Sequence, residues 1–213
     1  MGKDFDIRLD ATVTATPEQV WDAIATGPGI SSWFIGSTDI DGDTVRTSFG
    51  GGAMPVSTIT ASDPPHQFVH RSDDLANEFL IEGRTGSATV LRTVTSGFLA
   101  GDDWADEYEA MTYGTELFFA TLVAYLNHFP GRATTPVTVF GPPVTDWPAT
   151  WRNLHAALDE IGGEVYFSNP HTVGLRTERG LYRFLRGFQG PLIAAHVLVT
   201  PDDTDWNAFL NKL

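Results

Sequence analysis

The chain has 213 residues, 42% of them hydrophobic, with 14 Phe, 6 Trp and 5 Tyr. At this length roughly 70–75% of the unfolded surface can be buried, so a folded domain is expected and disorder is not. The 27 Asp and Glu against 13 Lys and Arg leave a formal charge of −14, which argues against nucleic acid and anionic membrane surfaces, since both reward clustered cations. With no cysteine, a disulfide scaffold, a zinc ribbon, an iron–sulfur cluster and a thiol nucleophile are excluded.

The first residues carry charge where a signal peptide would need an apolar stretch. No run approaches the 18 apolar residues of a membrane span, and Ile193 to Val199, the most continuous, has strand length. A soluble, cytoplasmic protein is expected. From Phe5 to Val13 apolar and polar residues alternate, which is strand periodicity. Thr16-Pro17-Glu18-Gln19 then opens a helix: Thr caps, Pro suits the first turn, and Gln19 completes a capping box. Gly27-Pro28-Gly29 is expected to end it, with a second short helical turn from Ile30 to Phe34.

Residues 36–99 read as a meander of strands, with turn signals at Asp41-Gly42, Asp63-Pro64-Pro65 and Gly86-Ser87. A long helix follows. Trp104, Tyr108, Met111, Thr115, Phe118, Leu122, Tyr125 and Phe129 recur at alternating steps of four and three, with Asp102 and Asp103 near its start. Gly114, inside it, weakens it by about 1 kcal/mol relative to Ala.

Phe129-Pro130-Gly131 marks a break. Charge divides there too: residues 1–130 are net −13 and residues 131–213 net −1. Two units are therefore expected, 1–130 and 131–213. The second reads as a strand at Pro136–Phe140, a helix from Trp147 to Ile161 and strands at Glu164–Phe167, Thr172–Thr177, Leu181–Phe188 and Leu192–Thr200. A terminal helix begins near Asp203.

Four stretches of the first unit resemble the SRPBCC (START-like, helix-grip) superfamily, in the branch with homology to the activator of the heat-shock-protein-90 ATPase. They are Thr16 to Ile24 with Trp33-Phe34, Asp63 to Val69, Ser96-Gly97-Phe98, and Gly114 to Leu126, where Thr115 replaces the usual Trp. The likeness spans residues 3–129 and nothing in 131–213 shares it. It implies an α+β fold in which a curved antiparallel sheet grips a long C-terminal helix around an apolar cavity. Candidate cavity residues are Trp33, Phe49, Met54, Phe79, Trp104, Tyr108, Met111, Phe118 and Phe119. At helical spacing the same aromatics also serve as core.

Catalytic patterns are sparse. His66 and His70 have the spacing of a helical zinc pair, but in an extended segment that spacing separates them by about 13 Å. Asp39 to Asp43 lacks the Glu of a calcium loop and reads as a charged hairpin turn. Gly50-Gly51-Gly52 has no following Lys-Ser/Thr and reads as a strand bend. Asp106, Glu107 and Glu109 suit a solvated helix start better than a general base. Arg176, Arg179, Arg183 and Arg186 read as the outer edge of a strand, with an anion or the acidic first unit as the alternative.

No catalytic residue, metal site or cofactor is assigned. The expected function is binding of a small hydrophobic molecule, with the extension packing on the first unit or forming a homodimer. Two rivals stand beside it. A cyclase- or aromatase-like enzyme would need a polar acid–base group inside the cavity. A chaperone-associated interaction module is suggested by the family name alone.

Overall fold

The computed structural model describes residues 3–50, 52–83, 88–99, 104–187 and 190–213; of residues 104–106 it describes the backbone. The Gly86-Ser87 turn, Gly51, Phe188 and the Asp102-Asp103 helix start lie outside the described residues, as do the Trp104 and Asp106 side chains.

The first sheet is built from β1 (Lys3–Val13), β2 (Ser37–Asp41), β3 (Thr44–Phe49), β4 (Gly52–Ala53), β5 (Ser57–Asp63), β6 (Gln67–Arg71), β7 (Leu75–Gly83) and β8 (Thr89–Leu99). Its order is β1-β8-β7-β6-β5-β3-β2, with β4 paired to β3, and every pairing is antiparallel. Between β1 and β2 run α1 (Pro17–Ala25) and α2 (Gly27–Ser31). The Thr16 hydroxyl accepts from the Gln19 amide while the Gln19 side chain accepts from the Thr16 amide, so the capping box forms as read from the sequence. Gly27-Pro28-Gly29, expected to stop α1, instead opens α2. Thr26 serves as its N-cap through Gly29 N–H, because Pro fits a first helical turn as well as it ends one.

The long helix is α3 (Trp104–His128). After it come β9 (Thr135–Pro143), α4 (Trp147–Ile161), β10 (Glu164–Asn169), β11 (Thr172–Thr177), β12 (Gly180–Arg186), β13 (Pro191–Leu198) and α5 (Trp206–Leu210). These strands form a second antiparallel sheet in the order β10-β11-β12-β13-β9.

The layers stack as first sheet, α3, second sheet, then α4 and α5. Leu122, Tyr125, Leu126 and Phe129 pack with Val13, Phe68, Phe79, Ile81 and Leu91 of the first sheet; Leu181 and Val197 of the second join the same cluster. On the far face of the second sheet, Tyr182, Phe184, Ala194 and Leu198 pack with Leu154 and Leu158 of α4 and with Trp206 and Leu210 of α5. β13 is thus covered on both faces, which is why its sequence is a continuous apolar run rather than an alternating one. The helix-grip architecture expected from the sequence is present, and the chain after α3 covers the helix face that the first sheet leaves bare.

Candidate functional site

The interior between first sheet and α3 is packed at one end and loosely filled at the other. No described side chain of 107–116 is buried, whereas Leu122, Tyr125, Leu126 and Phe129 are buried in the cluster shared with the first sheet. The inner surface at the loose end is apolar: Phe5, Ile7 and Leu99 cluster with Leu9, Leu75, Tyr108 and Met111. A pocket of about 200 Å³ opens there, lined by Lys3, Asp4, Phe5, Asp6, Leu99 and Tyr108. Farther along the helix, a Cβ placed on Gly114 would meet nothing within 4 Å. Gly114 lies three residues from both Met111 and Leu117, at the border between the helix's two covered faces.

Between the two ends the sheet presents a polar row. His70 on β6 stands opposite Asn77 on β7, which stands opposite Thr95 on β8, which stands opposite Ile7 on β1. Directly opposed residues share a face, and Ile7 packs with Tyr108 and Met111, so the row faces α3. Thr95 Oγ1 donates to Asn77 Oδ1 at 3.2 Å. The His70 ring lies nearly parallel to Phe79 (16°, centroids 6.3 Å apart) and tilted against Phe68. Its Nδ1 is buried without a hydrogen-bond partner among the described residues. Burial also pushes the imidazole down to about 4, so at neutral pH it carries no charge. His66 is exposed in the turn ahead of β6 and shares no site with it.

Of the nine cavity residues read from the sequence, the Trp104 side chain lies outside the described residues and the other eight divide among several surroundings. Tyr108 and Met111 belong to the loose end, where Tyr108 meets Phe5 edge-on at 6.1 Å. Trp33 and Phe79 are core: the Trp33 ring contacts Phe79 at 5.9 Å and its Nε1 donates to Ala23 O at 2.9 Å. Phe119 packs against that core. Phe118 meets Phe34 at 4.9 Å, and with Phe49 and Met54 it borders Ile35, Ile193 and Ala195, where the first unit meets the second sheet. Phe49 also stacks on Phe140 of β9. The polar row is absent from the nine, although His70 stands two residues from Phe68 and therefore on its face of β6, a signal the alternation carries.

The Arg cluster differs from its expected place on a strand's outer edge. Arg176 pairs with Glu164, Arg179 lies 4.0 Å from Asp202, and Arg186 sits over the Trp147 ring. Arg183 is fully buried. It donates to the carbonyls of Ala195, Trp33 and Phe34 and lies 5.5 Å from the Phe118 ring centroid. Desolvation lowers this guanidinium to about 10, so it remains charged at neutral pH. It does reach the first unit, but it meets two backbone carbonyls just beyond α2 rather than an acidic face.

On the outer side of α3, Tyr166 occupies the bulge of β10 between Val165 and Phe167. Its hydroxyl lies 2.8 Å from Thr121 Oγ1. A Cβ on Gly174 would collide with its ring, so the glycine makes room for it. Asn169 Nδ2 donates to Tyr113 O and Glu116 Oε2. A further pocket of about 250 Å³ lies away from the grip, among Pro143, Val144, Asp146, Leu192 and Leu210. Among the described residues no three His, Asp or Glu side chains are placed to hold a metal ion, and no helix is long and apolar enough to cross a membrane.

No protein-family model and no curated protein matches the chain. Solved structures do. Protein BH1534 of Bacillus halodurans is 21% identical, covers 58% of this chain and 97% of its own, and superposes with a TM-score of 0.50. EF2215 of Enterococcus faecalis, a conserved protein of unknown function, is 13% identical over 75% of this chain and 88% of its own, also at 0.50. The Aha1 dimer from Colwellia psychrerythraea is 19% identical over 58% of this chain and 96% of its own, at 0.48. The likenesses at 0.50 are likenesses of fold, in accord with the helix-grip arrangement described above.

Proposed function

We propose that the protein binds a small hydrophobic molecule between the first sheet and the N-terminal half of α3, with no cofactor and no catalytic step. The observation that supports this is the asymmetry along α3: Leu122, Tyr125, Leu126 and Phe129 are buried against the first sheet, whereas no described side chain before Leu117 is buried and apolar side chains border that stretch. An apolar surface left loosely packed loses contact energy that a ligand of matching shape restores. In this reading residues 1–130 are the binding unit. Residues 131–213 cover the outer face of α3, so that the helix can give up close packing on its inner face without losing its place.

The test is titration of the purified protein with the environment-sensitive fluorophore 1-anilinonaphthalene-8-sulfonate, together with mass spectrometry of small molecules extracted from the native protein. Saturable, stoichiometric binding is expected, weakened at least tenfold by Gly114→Trp, which fills the open space while α3 persists. Absence of saturable binding, or binding indifferent to Gly114→Trp in a folded variant, would overturn the proposal.

A further inference from the structure

We propose that the row His70–Asn77–Thr95 is the polar anchor of this site, and that the molecule it takes is uncharged, with a hydroxyl group on an otherwise apolar body. The inference rests on the ligand-binding reading above and adds to it the chemistry of the ligand.

Three observations carry it. First, the row is set inside the grip rather than on its rim. It lies two residues along each strand, about 7 Å, from the apolar row formed by Phe5, Gly97 and Leu75 at the loose end. On its other side is the row Phe68–Phe79–Thr93, where Phe68 and Phe79 belong to the packed core. A molecule entering past Tyr108 and Met111 therefore meets apolar walls first and the polar row last.

Second, the row is satisfied at one end and wanting at the other. Thr95 and Asn77 bond each other, while His70 Nδ1 is buried with no partner among the described residues. Buried polar atoms in folded proteins nearly always have one. Asn77 is the neighbour on β7, and its Oδ1 is already engaged by Thr95. The other rings near His70, Phe68 and Phe79, offer neither donor nor acceptor. Among the described residues, then, no group supplies the missing partner. A hydroxyl both donates and accepts, so it satisfies Nδ1 whichever ring nitrogen carries the proton.

Third, the surroundings select against charge. Glu78, Glu82 and Arg92 alternate with the inward residues of β7 and β8 and stand on the opposite face; Gln67 and Arg92 are bonded to the two glutamates there. The imidazole is itself neutral, held so by its burial. A carboxylate or ammonium brought to this row would be desolvated with no counter-ion in the row itself, which costs far more than its hydrogen bonds return. A neutral hydroxyl gives up little on leaving water and finds a partner.

The experiment titrates the full chain at pH 7 with 2-naphthol, 2-methoxynaphthalene and 2-naphthoate, which share one ring system and differ in the polar group. Binding of 2-naphthol about tenfold tighter than 2-methoxynaphthalene is expected, with 2-naphthoate weaker than both. His70→Phe, which keeps the ring between Phe68 and Phe79, should abolish the preference for the hydroxyl and leave 2-methoxynaphthalene binding within about twofold. In the wild type, 2-naphthol and not 2-methoxynaphthalene should move the His70 Nδ1 resonance in nitrogen-15 spectra. That readout needs no variant to fold.

If all three probes fail to bind, the ligand-binding reading itself fails. If they bind with equal affinity and the His70 resonance stays still, the pocket stands and the anchor is refuted. Tighter binding of 2-naphthoate would refute the exclusion of charge.

Discussion

Replacing His70 by Phe should change how stability responds to acid. In the unfolded chain this imidazole takes its proton at the ordinary 6.5, whereas in the folded protein burial delays it to about 4. Between those values the unfolded state holds more protons, so stability falls as pH falls. The penalty is absent above 6.5, grows through the window, and is complete below about 4. The gap corresponds to about 3 kcal/mol in full and to about 2 kcal/mol at pH 5. His196, buried against Trp206, is shifted the same way and contributes in the same direction, but it is common to both proteins. The quantity to measure is therefore the difference between wild type and variant. Urea unfolding followed by tryptophan fluorescence, from pH 7.5 down to pH 4.5, gives it directly. The two should lie within about 1 kcal/mol of each other at pH 7, since the ring is nearly the same size and one unsatisfied nitrogen is removed. At pH 5 the variant should have gained about 2 kcal/mol relative to wild type. A difference that stays constant across the range would refute the claim that His70 is buried and neutral, and the hydroxyl anchor would lose its basis.

Arg183→Met removes the donor from three carbonyls while keeping most of the stem, and should cost about 3–5 kcal/mol in urea unfolding; a loss under 1 kcal/mol would mean that this guanidinium does not tie β12 to the segment after α2. Tyr166→Phe should cost about 1 kcal/mol through its bond to Thr121. Ultraviolet titration of the folded protein should show one phenol ionising only near 12, because burial disfavours the phenolate, and that phenol should be missing from the variant. Gly114→Ala should stabilise by about 1 kcal/mol, since a Cβ there meets nothing and Ala favours a helix; destabilisation would show that the space is already filled.

Much of the fold is legible in the sequence because local chemistry writes it there. The Thr16–Gln19 capping box, the strand periodicity of β1 and the limits of α4 follow from residues within a few positions of each other. The stripe from Tyr108 to Phe129 located α3 and the face it turns to the first sheet. It concealed the other face, where Leu117, Thr121 and Ala124 are equally shut away beneath the second sheet. A 3.6-residue period detects one apolar side; a helix covered on two sides blurs it. Arg183 sits between Leu181 and Leu185 on one face of β12, so its parity already placed it among buried neighbours. The general preference of arginine for the surface gives way here because buried carbonyls await a donor.

The cavity residues show the same division. Composition and helical spacing identify side chains suited to an interior, and Tyr108 and Met111 pack against Phe5, Ile7 and Leu99. Whether a ring fills core, lines a cavity or seals a junction depends on what stands opposite it, and that is set by strand register and by the sheet added after α3. Trp33 and Phe79 became core because they meet each other; Phe49 and Met54 became junction because the second sheet arrives beside them.

The sequence by itself determined most elements, their order and the acidity of −14 concentrated before residue 131, since these depend on propensity, period and count; the helix-grip class is what the resemblance of its four stretches implies. Tertiary structure alone decided that the second sheet lies over α3, that Arg183 is the buried link, and that His70, Asn77 and Thr95 stand in one row. The hydrogen bonds among them join residues 18 and 150 positions apart in the chain, and only the closed fold brings such distant groups within reach.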